Sequence, residues 1–155
     1  MQVMKKERID LHLLIQNLLN KEQGHFDQKA IRLKVNMAAA SVTADPDQII
    51  RVIRNLVENV LQYTPHGGEA VLDLDVRMNQ NQVKVTLTNS GEGIREEDLP
   101  RIFERFYRGE KSRSRESGGA GIGLAIVKQI IKAHGGSVGA QSRLGETKIW
   151  FTLPS

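Results

Sequence analysis

The 155-residue sequence contains no cysteine. That excludes a disulfide scaffold and any thiolate-based metal or redox site. Aromatic side chains make up only 5% of the chain, too few for a base-stacking platform on nucleic acid. No apolar run approaches the roughly 18–20 residues that a membrane span needs. Met1 to Asp10 has no apolar signal-peptide core. Neither sign of charge is in large excess: 22 Lys and Arg stand against 18 Asp and Glu, a net +4. That is a weak pointer to an anionic partner. With 39% hydrophobic and 26% charged residues, wholesale disorder is excluded, and the length fits one domain of about 100–200 residues. No internal repeat is visible.

What is present is unevenly spread. Eleven of the 14 glycines follow residue 90, and Gly91, Gly93, Gly118, Gly119, Gly121 and Gly123 form clusters. Glycine lets backbone approach a ligand closely, so residues 90–123 read as a site. The basic charge gathers there too. Residues 101–116 carry Arg101, Arg105, Arg108, Lys111, Arg113 and Arg115 against Glu104, Glu110 and Glu116, which is +3 of the total +4.

Residues 10–21 read as a helix, with Leu11, Leu14, Ile15, Leu18 and Leu19 at helical spacing. Residues 31–37 alternate like a strand. Asp45 is a good helix cap, Pro46 suits the first helical position, and Gln48 can complete a capping box. The helix they open is expected to run through Ile49, Ile53, Leu56 and Val60 and to stop before Pro65. Residues 69–77 and 82–88 read as paired strands, joined by a turn over 78–81. A long helix is expected from about Gly121 to His134, ended by Gly135. Strands over 136–141 and 147–153 close the chain. Helices mixed with hairpins, without regular βαβ alternation, favour an α+β sandwich. Residues 1–8 are expected to be a linker and 9–155 the domain.

Asn55, Asn59 and Tyr63 stand four residues apart on one helix face. Taken alone, the plainer reading is a solvated polar face. Asn89 to Ile94 directly follows a strand and reads either as a glycine-rich turn or as a loop that approaches a flat ligand. Gly118 to Leu124 opens the last long helix. Its N-terminal N–H groups suit phosphate, and Arg105 and Arg108 lie just upstream. A P-loop is excluded because no GxxxxGK[ST] occurs, and Ile126 occupies the third position of a dinucleotide fingerprint. Phe103 and Phe106 are most simply anchors, and the polar segment 109–117 fits a lid. His12, His25, His66 and His134 lack metal-ligand spacing and read as surface or structural residues.

The order and spacing of these motifs resemble the ATP-binding catalytic domain of bacterial sensor histidine kinases, within the GHKL (Bergerat-fold) superfamily. The likeness covers about Glu7 to Pro154. Residues 55–64 look like the N box, Asn89 to Ile94 the first glycine box, Phe103 to Arg108 the F box, and Gly119 to Leu124 the second glycine box. The resemblance implies a two-layer α/β sandwich with a mixed, mostly antiparallel sheet and helices on one face. It implies ATP and Mg²⁺ as cofactors. Asn59 would be the Mg²⁺ ligand through its amide oxygen, a hard donor, and Asn55 would support the metal and phosphates. Tyr63 would line the nucleotide, and Gln62 sits where many members have a phosphate-binding Lys. Asn89 would face the adenine amino group, Gly91 and Gly93 would shape that pocket, and Ile94 would form an apolar wall. Arg105 or Arg108 would reach the γ-phosphate. Gly119, Gly121, Ile122, Gly123 and Leu124 would cradle the phosphates, and Thr147 would back the adenine site. Three departures stand out: Asn89 where Asp is usual, Gln62 for the cation, and Leu144-Gly145-Glu146-Thr147 without a second glycine before the Thr.

The implied reaction transfers the γ-phosphoryl group of ATP to a histidine imidazole, which needs positioning more than a general base. The ATPases and serine kinases of the superfamily place a Glu four residues before the metal-binding Asn. Here that position is Asn55, which cannot take a proton from water. Histidine kinase is therefore favoured over hydrolase. No His in the sequence is followed by Glu or Asp, so the phosphoacceptor is expected on a separate dimerisation domain. Other expected partners are ATP and the receiver domain of a response regulator. No nucleic acid and no direct membrane contact are expected, and the fragment is expected to be a monomer. The parent is expected to be a membrane sensor with this part in the cytoplasm. The alternative is a catalytically weak, nucleotide-binding regulatory domain of the same fold.

Overall fold

A computed structural model describes residues 3–104 and 120–155. The elements in chain order are β1 (Glu7–Asp10), α1 (Leu11–Gln28), β2 (Arg32–Met37), β3 (Ser41–Ala44) and α2 (Pro46–Tyr63). They are followed by β4 (Glu69–Arg77), β5 (Gln82–Ser90), α3 (Ala120–Ala133), β6 (Val138–Arg143) and β7 (Glu146–Pro154). Five strands form one sheet in the order β2-β4-β5-β7-β6; β2 runs parallel to β4 and every other pair is antiparallel. The expected α+β sandwich is what forms.

Two differences from the expected elements have tertiary causes. Helix α1 runs seven residues past residue 21, although Glu22 to Gln28 contains Gly24 and little apolar surface. Phe26 supplies the reason: it is buried to 1% exposure and holds the last turns on the core. The second difference is a separate two-stranded sheet in which β1 pairs antiparallel with β3. The expected boundary at residue 9 falls inside β1, where Glu7 and Arg8 stand opposite Ala44 and Thr43.

The five-stranded sheet buries one face. On β4 the inward residues are Ala70, Leu72 and Leu74; on β5 they are Val83, Val85 and Leu87; on β7 they are Ile149, Phe151 and Leu153. This is the period-two alternation of a half-buried sheet. Against it lie Ile49, Val52, Ile53, Leu56, Val57 and Val60 of α2 and Leu124, Val127, Ile130 and Ile131 of α3. Each fully buried aliphatic side chain of this kind contributes about 1.5–3 kcal/mol of transfer free energy. The outward face is polar apart from half-buried Val71 and Trp150; Trp150 covers Gly139 and has Lys84 Nζ 4.4 Å from its ring centroid. Among the described residues no helix is long and apolar enough to cross a membrane.

Asp45 caps α2 as expected: its Oδ1 accepts from the N–H groups of Asp47 (3.1 Å) and Gln48 (3.3 Å). The other half of the expected capping box is replaced. The Asp45 N–H donates to His134 Nε2 at 3.1 Å instead of to the Gln48 side chain. His134 Nδ1 lies 2.8 Å from the Ile130 carbonyl, which can only accept, so that nitrogen carries the proton and Nε2 is the acceptor. His134 is thus a buried structural histidine that ties the end of α3 to the start of α2. Helix α3 ends as expected at Gly135 (φ +81°), with Gly135 N–H on Lys132 O and Gly136 N–H on Ile131 O.

Candidate functional site

The apolar stripe of the sheet ends in a polar row. One step inside it, Leu72, Leu87, Ile149 and Ala140 stand side by side across β4, β5, β7 and β6. The next row is Ala70, Asn89, Thr147 and Ser142. Asn89 and Thr147 are exposed by only 9% and 8%. A carboxamide and a hydroxyl buried at the end of a hydrocarbon stripe need partners. Asn89 Nδ2 donates to the Ser90 carbonyl at 2.9 Å. That uses one of the two Nδ2 N–H groups and leaves Oδ1 as the acceptor. Strand β5 runs to Ser90, so Asn89 belongs to the rigid ladder and not to the loop after it.

The loop that follows is fastened to its surroundings. Gly91 N–H donates to Gly145 O (3.2 Å), and Ile94 N–H donates to Ser142 Oγ (2.7 Å). Gly93 has φ +84°, and a Cβ there would lie 2.7 Å from Ser142 Oγ and 3.0 Å from Arg143 O. A Cβ on Gly91 would come within 3.1 Å of Tyr63 O. The glycines therefore permit close approach to the β6–β7 hairpin and to the end of α2. Ile94, Leu99 and Phe103 pack on the core half-buried, and Ile102 is buried.

Helix α2 supplies the carboxamide face. Arg51, Arg54, Glu58 and Gln62 are exposed, while Asn55 and Asn59 are half-buried. Among the described residues neither asparagine carries a side-chain hydrogen bond. That distinguishes them from a fully solvated polar face. Tyr63 is 40% exposed at the helix end. The next residue, Thr64, is wholly buried, and among the described residues its Oγ1 has no partner. Lys29, absent from the expected site, reaches the same helix end: its Nζ donates to Leu61 O (2.6 Å) and Gln62 O (3.2 Å). It satisfies carbonyls that a helix C-terminus leaves orphaned. Nothing in the local sequence marks this contact, because its partners are 32 and 33 residues away.

Helix α3 starts at Ala120, so Gly121, Ile122 and Gly123 fall in its first turn, and Leu124 is buried against the core. The first turn of a helix offers free N–H groups and the positive dipole end. Arg105, Arg108, Phe106, Gly119 and the expected lid over 109–117 lie outside the described residues. Ser142 is the second residue that sequence reasoning missed. Its Oγ accepts from Ile94 N–H and lies 3.3 Å from both Thr147 Oγ1 and Glu146 O.

The comparisons agree with this fold. The profile described as histidine kinase-, DNA gyrase B-, and HSP90-like ATPase matches residues 44–155. The chain belongs to that family. It is an ATP-binding domain of the kind that sensor histidine kinases carry. The sensor histidine kinase WalK of Bacillus subtilis is 41% identical over 114 residues, covering 73% of this chain and 19% of that protein. The signal transduction histidine-protein kinase BaeS of Escherichia coli is 34% identical over 152 residues, covering 97% of this chain and 32% of that protein. The chain thus spans between a fifth and a third of these relatives. The catalytic domain of histidine kinase ThkA, solved nucleotide-free, superposes with a TM-score of 0.85 at 26% identity, over 97% of this chain and 96% of that one.

Proposed function

We propose that this domain binds ATP·Mg²⁺ on the surface formed by α2, the start of α3 and the polar end of the sheet. The γ-phosphoryl group then passes to a histidine on a separate dimerisation and phosphoacceptor domain. The observation that carries this reading is the buried Asn89–Thr147 pair closing an otherwise apolar stripe. A flat, mostly apolar base with a polar edge fits such a surface, and a solvent-filled turn has no need of it.

Each residue has a role that follows from its chemistry. Asn89 Oδ1 accepts from the exocyclic amino group of adenine, and Thr147 backs the same edge. Gly91, Gly93 and Ile94 form the wall beside the base. Tyr63 lines the nucleotide, and exposed Gln62 contributes a neutral hydrogen-bonding group near the phosphates. Asn59 offers a hard amide oxygen to Mg²⁺, with Asn55 supporting it one turn earlier. The N-terminal turn of α3, with Gly121, Ile122, Gly123 and Leu124, holds the phosphates by N–H groups, and Gly119, which precedes it in sequence, is assigned to the same cradle. Arg105 or Arg108 neutralises the γ-phosphate. Bound ATP·Mg²⁺ supplies the activated phosphoryl group and its counter-ion. The protein supplies alignment and charge, which is most of what phosphoryl transfer requires. Asn55 in place of a Glu provides no base for water, so hydrolysis is slow and an imidazole acceptor is preferred.

The wider setting follows by analogy. ThkA has also been solved in complex with the response regulator TrrA, and a receiver domain is the proposed downstream partner here. The parent protein is proposed to be a membrane sensor with this domain on the cytoplasmic side. The test is labelled ATP with and without an added histidine-bearing dimerisation domain from a relative such as WalK. Label is expected on the acceptor histidine and not on the isolated chain. ATP binding without transfer would favour the regulatory alternative, for which the uncharged Asn89 and Gln62 speak. Label on His12 would contradict the reading.

A further inference from the structure

We infer that Ser142 is a positioning residue that fixes the hydrogen-bond polarity of the base site. The inference rests on the nucleotide reading above and goes beyond it. Ser142 touches no proposed ligand. It stands one strand further along the same row, directly opposite Thr147. Three polar groups meet its hydroxyl: Ile94 N–H at 2.7 Å, Thr147 Oγ1 at 3.3 Å and Glu146 O at 3.3 Å.

The direction of the chain follows from what each group can do. A backbone N–H only donates, so Ser142 Oγ accepts from Ile94. The Ser142 proton then has two acceptors in reach. If it goes to Glu146 O, Thr147 donates back to Ser142 and offers only lone pairs to the site. Thr147 and Asn89 Oδ1 would then present two acceptors side by side. The Watson–Crick edge of adenine has one donor, the 6-amino group, beside one acceptor, N1. It cannot satisfy two acceptors. If the Ser142 proton goes to Thr147 Oγ1, the Thr147 proton is free to point at the base. The row then presents an acceptor at Asn89 and a donor at Thr147, which complements adenine. A 6-oxo base such as hypoxanthine has the opposite pattern: its O6 faces the Asn89 Oδ1 lone pairs, and its binding is disfavoured. A run of donors aligned in one sense also strengthens each of its bonds. Ser142 holds the base wall at Ile94 and sets the Thr147 proton through the same oxygen.

The test compares a nonhydrolysable ATP analogue with inosine triphosphate, by calorimetric titration in the presence of Mg²⁺. The proteins are the wild-type chain, Ser142→Ala, Ser142→Thr and Thr147→Val. Ser142→Ala is expected to weaken the ATP analogue about five- to tenfold, the scale of one net neutral hydrogen bond. Inosine triphosphate binding is expected to stay within about twofold, so discrimination narrows. Thr147→Val should narrow it similarly, and Ser142→Thr should restore it. Equal weakening of both nucleotides, or unchanged ATP-analogue affinity, would overturn the inference. Amide hydrogen exchange of the nucleotide-free proteins supplies a readout that needs no ligand. The Ile94 N–H should be protected in the wild type and in Ser142→Thr, and should exchange at least tenfold faster in Ser142→Ala (about 1.4 kcal/mol per factor of ten). Unchanged Ile94 exchange would equally sink the inference. If the wild-type chain binds no ATP analogue, or Asn89→Ala leaves that binding untouched, the nucleotide reading itself fails. If those controls behave and Ser142→Ala does not, only the role of Ser142 fails.

Discussion

Replacing Asn59 by Ala is expected to remove the Mg²⁺ dependence of nucleotide binding. Asn59 is half-buried on α2, and among the described residues its carboxamide has no protein partner. It therefore pays little to turn its oxygen toward a hard cation, and its loss takes away a ligand without disturbing a network. An Mg²⁺–nucleotide complex that loses such a contact should bind about a hundredfold more weakly, the upper end of what disturbing a metal's surroundings costs. Titration of the variant with and without Mg²⁺ should give two weak and similar curves, while the wild type separates them. Stability should barely change, because no buried apolar contact is removed. A variant that keeps Mg²⁺-dependent binding would remove Asn59 from the site.

The second large effect concerns stability. Asp45→Ala is expected to cost about 2–3 kcal/mol. A lost N-cap accounts for about 1–2, and a further, part-buried donor loses its charged acceptor. That donor is the Lys5 N–H, which lies 3.0 Å from Asp45 Oδ2 and ties the segment before β1 to the start of α2. The Lys5 N–H is also the main reason that the Asp45 carboxyl is held below the usual carboxylate range. Burial opposes this, and the Gln48 and Asp47 N–H groups and His134 reinforce it. A carboxyl whose folded value is depressed contributes stability that is fully present above its unfolded value of about 3.9 and is lost as pH falls through the folded value. Asp45→Asn keeps a good cap but has no such titration. Urea denaturation should show the wild type ahead of Asp45→Asn at pH 7, with the gap closing below about pH 4. A gap that does not change with pH would show that the carboxylate charge is not what the three N–H groups stabilise.

Much of this molecule is legible in the sequence, and the boundary has a physical form. The α2 cap, the alternation of β4, β5 and β7, and the glycine stop after α3 are local signals, and each is realised in place. The resemblance singled out Asn89 and Thr147, and the register sets them side by side on the ladder. What was not legible depends on residues far apart in the chain. Strand β3 is four residues long and exists by pairing with β1, more than thirty residues earlier. The Asp45 N–H finds His134 across 89 residues, where local rules pointed to Gln48. Ser142 and Lys29 look like ordinary polar residues until the fold brings them to Ile94 and to the end of α2. The last turns of α1 form against local propensity because Phe26 has a core to enter.

The measurement that tests the central claim most directly is a nuclear magnetic resonance titration of the ¹⁵N-labelled chain with a nonhydrolysable ATP analogue and Mg²⁺. The account predicts that the Asn89 and Asn59 side-chain amides and the backbone amides of Gly91, Gly93, Ile94, Leu124 and Thr147 shift together along one saturable curve. The Trp150 indole, on the outer face of the sheet, should stay still. Shifts confined to the outer face, or an Asn89 amide unmoved at saturation, would contradict it.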